Sequence, residues 1–283
     1  MAELKKDAAS QPRLFLNDRK SIPQIGLGVW QTPPDVAGLA VETAIRAGYR
    51  HIDTAAIYGN EAEVGEGIRA ANIGRENLFI TTKLWNEDQG YDATLRAFEK
   101  SLDRLGLDYV DLYLIHWPSP QRGLYVDTWK AFVRLREQGL VRSIGVSNFE
   151  PEHLNKIISA TGITPVLNQI ELHPRFQQRK LRDVHERLGI ATQSWSPLGQ
   201  GTLLSHPTIN AIAAKHGRTP AQIIIRWHID NGLIVIPKSV TPVRIVENFD
   251  VFSFGLDDAD LAAIAKLNAS DGRIGPHPLE ARF

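Results

Sequence analysis

Residues 78–116 read LFITTKLWNEDQGYDATLRAFEKSLDRLGLDYVDLYLIH, and this stretch decides the fold. Leu78–Lys83 and Val110–His116 are apolar, β-rich runs, each short enough for a strand. Tyr91–Leu105 between them has helical period, and Gly106 follows where a helix C-cap belongs. Strands that are apolar along most of their length belong to a parallel sheet covered on its faces by helices.

The same alternation extends in both directions. Strand-like runs are Gly26–Trp30, His51–Asp53, Leu78–Lys83, Val110–His116, Ile144–Ser147, Val166–Gln169, Ala191–Trp195 and Ile234–Pro237. Helical segments are Val36–Ala47, Glu61–Ala71, Tyr91–Leu105, Val126–Gln138, Pro151–Ser159, Gln178–Leu188, Pro220–Asp230 and Pro242–Asn248. Thr219 before Pro220 and Thr241 before Pro242 are helix starts, and Gly48, Gly139 and Gly189 mark helix ends. Eight strand–helix units predict a closed (β/α)8 TIM barrel, with a doubly wound open sheet as the alternative. Arg13–Phe15 and Ser21–Pro23 around Asn17-Asp18 predict an N-terminal β-hairpin, and Leu256–Leu267 an extra C-terminal helix. No composition break divides the chain, so residues 1–12 are expected as a flexible leader and 13–283 as one domain.

The 283 residues are 43% hydrophobic and 23% charged, ordinary values for a globular chain with a large core. Lys plus Arg and Asp plus Glu both number 32, a balance that argues against nucleic acid or anionic membrane as partner. With no cysteine there are no disulfides, thiolate zinc sites or Cys nucleophiles. The polar N-terminus lacks a signal-peptide core, and no apolar run approaches the ~18 residues of a membrane span. A cytoplasmic protein is expected.

In a closed barrel the chemistry sits at the C-terminal strand ends. The second strand ends in Asp53, with Tyr58 in the loop beyond; the third ends in Lys83 and the fourth in His116. Taken singly, each has an ordinary reading as a cap, a solvated cation or a core histidine; four on neighbouring strands make a site. An ammonium beside a tyrosine lowers a phenol pKa that starts near ~10. Asp53 can hold Lys83 charged, and His116 can donate to a carbonyl oxygen. The set suits carbonyl reduction, in which an alkoxide is protonated as it forms.

The remaining strand ends supply Ser147-Asn148, Asn168-Gln169 and Trp195-Ser196. Amides and a flat indole suit a nicotinamide ring, although core filling would equally explain Trp195 alone. Lys238, Ser239 and Arg244 surround the start of the last helix, where two cations and a hydroxyl suit a phosphomonoester such as the 2′-phosphate of NADP. Gly26-Leu27-Gly28 is not a dinucleotide loop, because Gln31 breaks the pattern and no helix follows directly. The histidines show no metal-ligand spacing, so no metal is expected.

The motifs resemble those of the aldo-keto reductases. Residues 48–61 (GYRHIDTAAIYGNE) are similar to the family's first hallmark, residues 140–149 (LVRSIGVSNF) to its second, and Ile236-Pro237-Lys238-Ser239 with Arg244, Glu247 and Asn248 to its third. The resemblance runs from about Arg13 to the C-terminus. Ser196-Pro197-Leu198-Gly199 and the short tail resemble bacterial 2,5-diketo-D-gluconate reductase-like members. It implies a barrel that binds NADPH without a Rossmann domain, with Tyr58 as general acid, tuned by Lys83 and Asp53, and His116 orienting the carbonyl. It further implies that Ser147, Asn148 and Gln169 hold the carboxamide, Trp195 stacks on the ring, and Ser196, Leu198 and Gly199 line the pyrophosphate path. Lys238, Ser239 and Arg244 would take the 2′-phosphate, with Glu247 and Asn248 near adenine and Trp30, Trp85 and Trp117 as substrate walls. Trp195 stands where many members have tyrosine. The short tail and the compact 118–125 loop lead to an expectation of an open pocket and loose specificity, and the family suggests a monomer. The rival reading is a non-catalytic NADP(H)-binding regulatory barrel, against which the complete tetrad argues.

Overall fold

The computed structural model describes residues 11–283, so the expected 1–12 leader lies outside the described residues as far as residue 10. A hairpin comes first, with β1 (Arg13–Phe15) antiparallel to β2 (Ser21–Pro23). Eight parallel strands follow in chain order: β3 (Leu27–Gly28), β4 (His51–Asp53), β5 (Phe79–Leu84), β6 (Val110–Ile115), β7 (Val141–Ser147), β8 (Leu167–Glu171), β9 (Ala191–Trp195) and β10 (Ile234–Val235). The sheet closes on itself. Gly26 N donates to Val235 O at 2.9 Å, Val235 N to Gln24 O at 2.9 Å, and Gly28 N to Pro237 O at 3.1 Å.

The seam accounts for the two glycines that fail as a dinucleotide loop. A Cβ on Gly26 would lie 2.7 Å from the His51 ring, and one on Gly28 3.0 Å from Ile236 O. Only glycine lets the first strand approach its neighbours this closely.

The outer layer consists of α1 (Pro34–Ala47), α2 (Glu61–Ala70), α3 (Tyr91–Leu105), α4 (Tyr125–Glu137), α5 (Pro151–Thr161), α6 (Arg179–Leu188), α7 (Pro207–His216), α8 (Pro220–Asp230) and α9 (Pro242–Phe249), with α10 (Asp258–Ala265) as the extra helix. Helix α8 starts on a capping box between Thr219 and Gln222, as its Thr-Pro start implies. Helix α7 is the element that sequence reading omits. Its N-cap is His206, whose ring accepts from Thr208 N, an uncommon start signal.

Apolar side chains fill the space between strands and helices on two sides, one centred on Phe98, Trp129 and Phe132 and the other on Ile209, Ile223 and Trp227. A third cluster lies at the N-terminal mouth, where Leu16 and Ile22 of the hairpin region join Phe79, Leu112, Val166 and Ile234. The hairpin therefore plugs one end of the barrel with apolar surface. Polar strand-end side chains are left to the other.

Candidate active site

Asp53 ends β4, Lys83 is the penultimate residue of β5 and His116 follows β6, so parallel pairing of these neighbours brings all three to one rim. Tyr58 closes a short 3-10 turn, Ala56–Tyr58, that ends on Gly59 in the left-handed conformation. Lys83 is fully buried and Asp53 is 1% exposed. Lys83 Nζ donates to Asp53 Oδ1 at 2.5 Å, to the Thr54 carbonyl at 2.9 Å and to the Tyr58 phenol oxygen at 3.3 Å. Gln169 Nε2 donates to the other Asp53 oxygen at 2.7 Å and to Gln193 Oε1 at 3.1 Å. The His116 ring packs edge-on against Tyr58, with centroids 5.7 Å apart, and against Trp85 at 5.3 Å.

Burial alone would lower the Lys83 pKa, but Asp53 and Tyr58 outweigh it and hold the ammonium charged. Burial and the Lys83 charge together keep His116 well below its ordinary value, so its ring is neutral at pH 7. The tyrosine corrects the sequence expectation. Burial raises the Tyr58 pKa more than Lys83 lowers it, and Asp53 adds to the rise, so the phenol keeps its proton. That outcome favours an acid over a base.

The cofactor-side candidates gather on the adjacent strands. Ser147 Oγ donates to Gln169 O at 2.8 Å, and Asn148 Nδ2 donates to His116 O at 3.0 Å and to Ser147 Oγ at 3.1 Å. Trp195 Nε1 donates to Asn148 Oδ1 at 2.8 Å, which fixes the plane of the indole. Gln169 Oε1 has no protein partner among the described residues. An open acceptor beside an oriented indole fits a carboxamide N–H and its aromatic ring. Asn148 and Ser196 follow strand ends with φ of 61° and 47°, left-handed values that turn the chain sharply at the rim. Leu198 is half-buried and Gly199, which is buried, opens the short turn Gly199–Gly201 beyond.

Lys238 and Arg244 are exposed at the start of α9, and neither forms an ion pair among the described residues. Two free cations beside the half-buried Ser239 fit a dianionic phosphate. Glu247 and Asn248 lie on the same helix, the latter buried.

The substrate walls are only partly assembled as expected. Trp85 and Trp117 both pack on Phe283, the last residue, with ring centroids 5.7 Å and 5.1 Å away. Trp30 is 45% exposed and has no ring contact with them. The expectation that little closes over this pocket is therefore corrected: the tail is short, yet it reaches across the rim to the aromatic wall. Sequence reading also missed Gln193 and the Thr54 carbonyl, which complete the network around Asp53 and Lys83.

The Aldo/keto reductase family profile matches residues 24–269. An aldo-keto reductase of Mycolicibacterium smegmatis (strain ATCC 700084 / mc(2)155) is 61% identical over 272 residues, covering 96% of this chain and 98% of that protein. The methylglyoxal reductase DkgA of Escherichia coli (strain K12) is 52% identical over 265 residues, covering 93% and 95% respectively. Among solved structures, the Gox0644 D53A mutant in complex with NADPH matches with a TM-score of 0.93 at 55% identity, covering 96% of this chain and 99% of that one.

Proposed function

The chain belongs to the aldo/keto reductase family, and from that premise we propose that it is an NADPH-dependent reductase of small aldehydes, ketones and α-dicarbonyls with Tyr58 as general acid. The observation that carries this reading is the threefold hold on Lys83. The ammonium nitrogen lies within hydrogen-bond distance of three oxygens, and one of those is the Tyr58 phenol. Because the phenol oxygen accepts from Lys83, its own proton is free to go to a substrate oxygen. NADPH, when bound, supplies the hydride for the carbonyl carbon. Tyr58 protonates the carbonyl oxygen, and Lys83 stabilises the phenolate that remains until solvent returns the proton. Asp53, held by Gln169, keeps the ammonium in place. The neutral His116 has an N–H with which to orient the carbonyl.

Ser147, Asn148, Gln169 and Trp195 would receive the nicotinamide, Ser196, Leu198 and Gly199 the pyrophosphate, and Lys238, Ser239 and Arg244 the 2′-phosphate. α-Dicarbonyls are included because the similar DkgA proteins are methylglyoxal reductases. The test is NADPH consumption with methylglyoxal and a panel of simple aldehydes. Steady turnover is expected; tight NADPH binding with no turnover on any carbonyl would instead favour a regulatory barrel.

A further inference from the structure

Glu171 is a buried carboxylate for which the reduction has no use. It is 1% exposed at the end of β8, two residues beyond Gln169. Its Oε1 accepts from Ile274 N at 2.6 Å and faces His173 Nε2 at 3.2 Å, and its Oε2 accepts from Gly275 N at 2.8 Å. Two consecutive backbone amides of the C-terminal tail are thus satisfied by one side chain of the barrel rim. The tail passes tightly here: a Cβ on Gly275 would lie 2.6 Å from Trp195 Cη2 and 3.1 Å from Glu171 Oε2.

From this point the tail crosses the rim. Gln121 Nε2 donates to Ala281 O at 3.2 Å, and Phe283 reaches Trp85 and Trp117. The earlier tail has its own attachments, Ala269 N to Arg175 O at 2.9 Å and Arg273 over the Phe176 ring. Between residue 275 and Ala281 the backbone bonds of the tail turn back on His277. Glu171 is therefore the last strong anchor before the segment that carries Phe283.

We propose that Glu171 is a positioning residue for substrate selection: by holding Ile274 and Gly275 it sets Phe283 against Trp85 and Trp117, completing a wall of three rings that favours flat, uncharged carbonyls such as aromatic aldehydes. The proposal rests on the reductase reading above. A carbonyl with no ring, such as methylglyoxal, gains little from ring faces and depends little on the anchor.

The experiment compares 4-nitrobenzaldehyde with methylglyoxal, using NADPH and full-length protein. Glu171→Gln keeps the shape of the side chain but turns an N–H toward one tail amide, leaving that amide without an acceptor. It is expected to raise KM for 4-nitrobenzaldehyde about tenfold, with kcat on either substrate and KM for methylglyoxal within about twofold. Phe283→Ala, at the chain end, should do the same, and the double variant should be no worse than the poorer single one. Hydrogen exchange of a peptide spanning 270–283 should speed up in Glu171→Gln. Should that variant fail to fold, Glu171→Asp, which keeps the charge but draws the carboxylate back by one methylene from both tail amides, takes its place under the same criteria. An unchanged KM for the aromatic aldehyde, equal losses on both substrates, or multiplying effects in the double variant would overturn the proposal. If wild type consumes no NADPH with either carbonyl, the reductase reading fails instead, while exchange still reports whether Glu171 holds the tail.

Discussion

Lys83 carries a full charge at a position water does not reach. Such an ion costs several kcal/mol to bury unless oxygens replace its hydration, and here Asp53, Thr54 and Tyr58 do so. Tyr58→Phe removes one of the three and leaves the Asp53 pair intact, so Lys83 stays charged and the cofactor side is undisturbed. The expected result is a kcat loss of about 10²–10⁴ with NADPH affinity within about twofold, read from steady-state rates and fluorescence titration. A variant with near-native kcat would move the acid role to His116. Arg244 allows a separable test. It is exposed and makes no ion pair among the described residues, so Arg244→Ala should weaken NADPH about tenfold and leave NADH unchanged; equal losses would make it a packing residue. The gathering of Asp53, Tyr58, Lys83 and His116 at one rim was legible because strand ends can be located from sequence. The direction of the Tyr58 shift was not, because it depends on how much water the folded site excludes.

Helices α1, α2 and α3 meet through glycines that no periodicity reveals. A Cβ on Gly65 would lie 2.1 Å from Leu105 O, and one on Gly67 2.4 Å from Gly38 O. Backbone therefore packs on backbone behind the turn that carries Tyr58. In an isolated helix Gly→Ala gains about 1 kcal/mol, but here the methyl meets a carbonyl that cannot move alone. Gly65→Ala should thus destabilise the fold by a net ~1–3 kcal/mol, seen as a lower denaturant midpoint with unchanged slope; a stabilised variant would show that α2 and α3 separate freely. The same limit explains which elements were legible. Strand β4, helices α3 and α8 and the hairpin match their expected bounds, since their ends carry turn or cap residues. At the seam β3 and β10 shrink to two residues each, because the closing contacts run through Gly26, Gly28 and Pro237. Helix α7 escaped because a histidine caps it.

At the scale of the whole molecule the barrel was legible from repetition, whereas the path of the tail was not, since irregular chain held by scattered long-range contacts has no period. Folding also buries histidines on the strands and on the helices packed around them. Burial holds His51 and His228 at about 3 and His185 at about 4, and His116 well below its ordinary value. His185 is neutral inside a network, with Nε2 2.9 Å from Asn168 Nδ2 and Nδ1 2.9 Å from Thr192 Oγ1. In the unfolded chain each histidine takes a proton near pH ~6.5. Below that pH the unfolded state binds more protons than the folded one, so stability is complete above about 6.5 and falls with pH toward 4. A shift from 6.5 to about 4 corresponds to ~3 kcal/mol for His185 alone. These four histidines titrating together give a slope near ~5 kcal/mol per pH unit around pH 5.5. Urea midpoints should therefore be nearly flat from pH 8 to 7 and drop steeply from 6 to 5. His185→Gln, whose amide oxygen can still accept from Asn168, should lose about one proton from that slope. A flat profile through pH 5 would mean that these rings are charged or hydrated in the folded chain, and the layers around them would then be wetter than their packing implies.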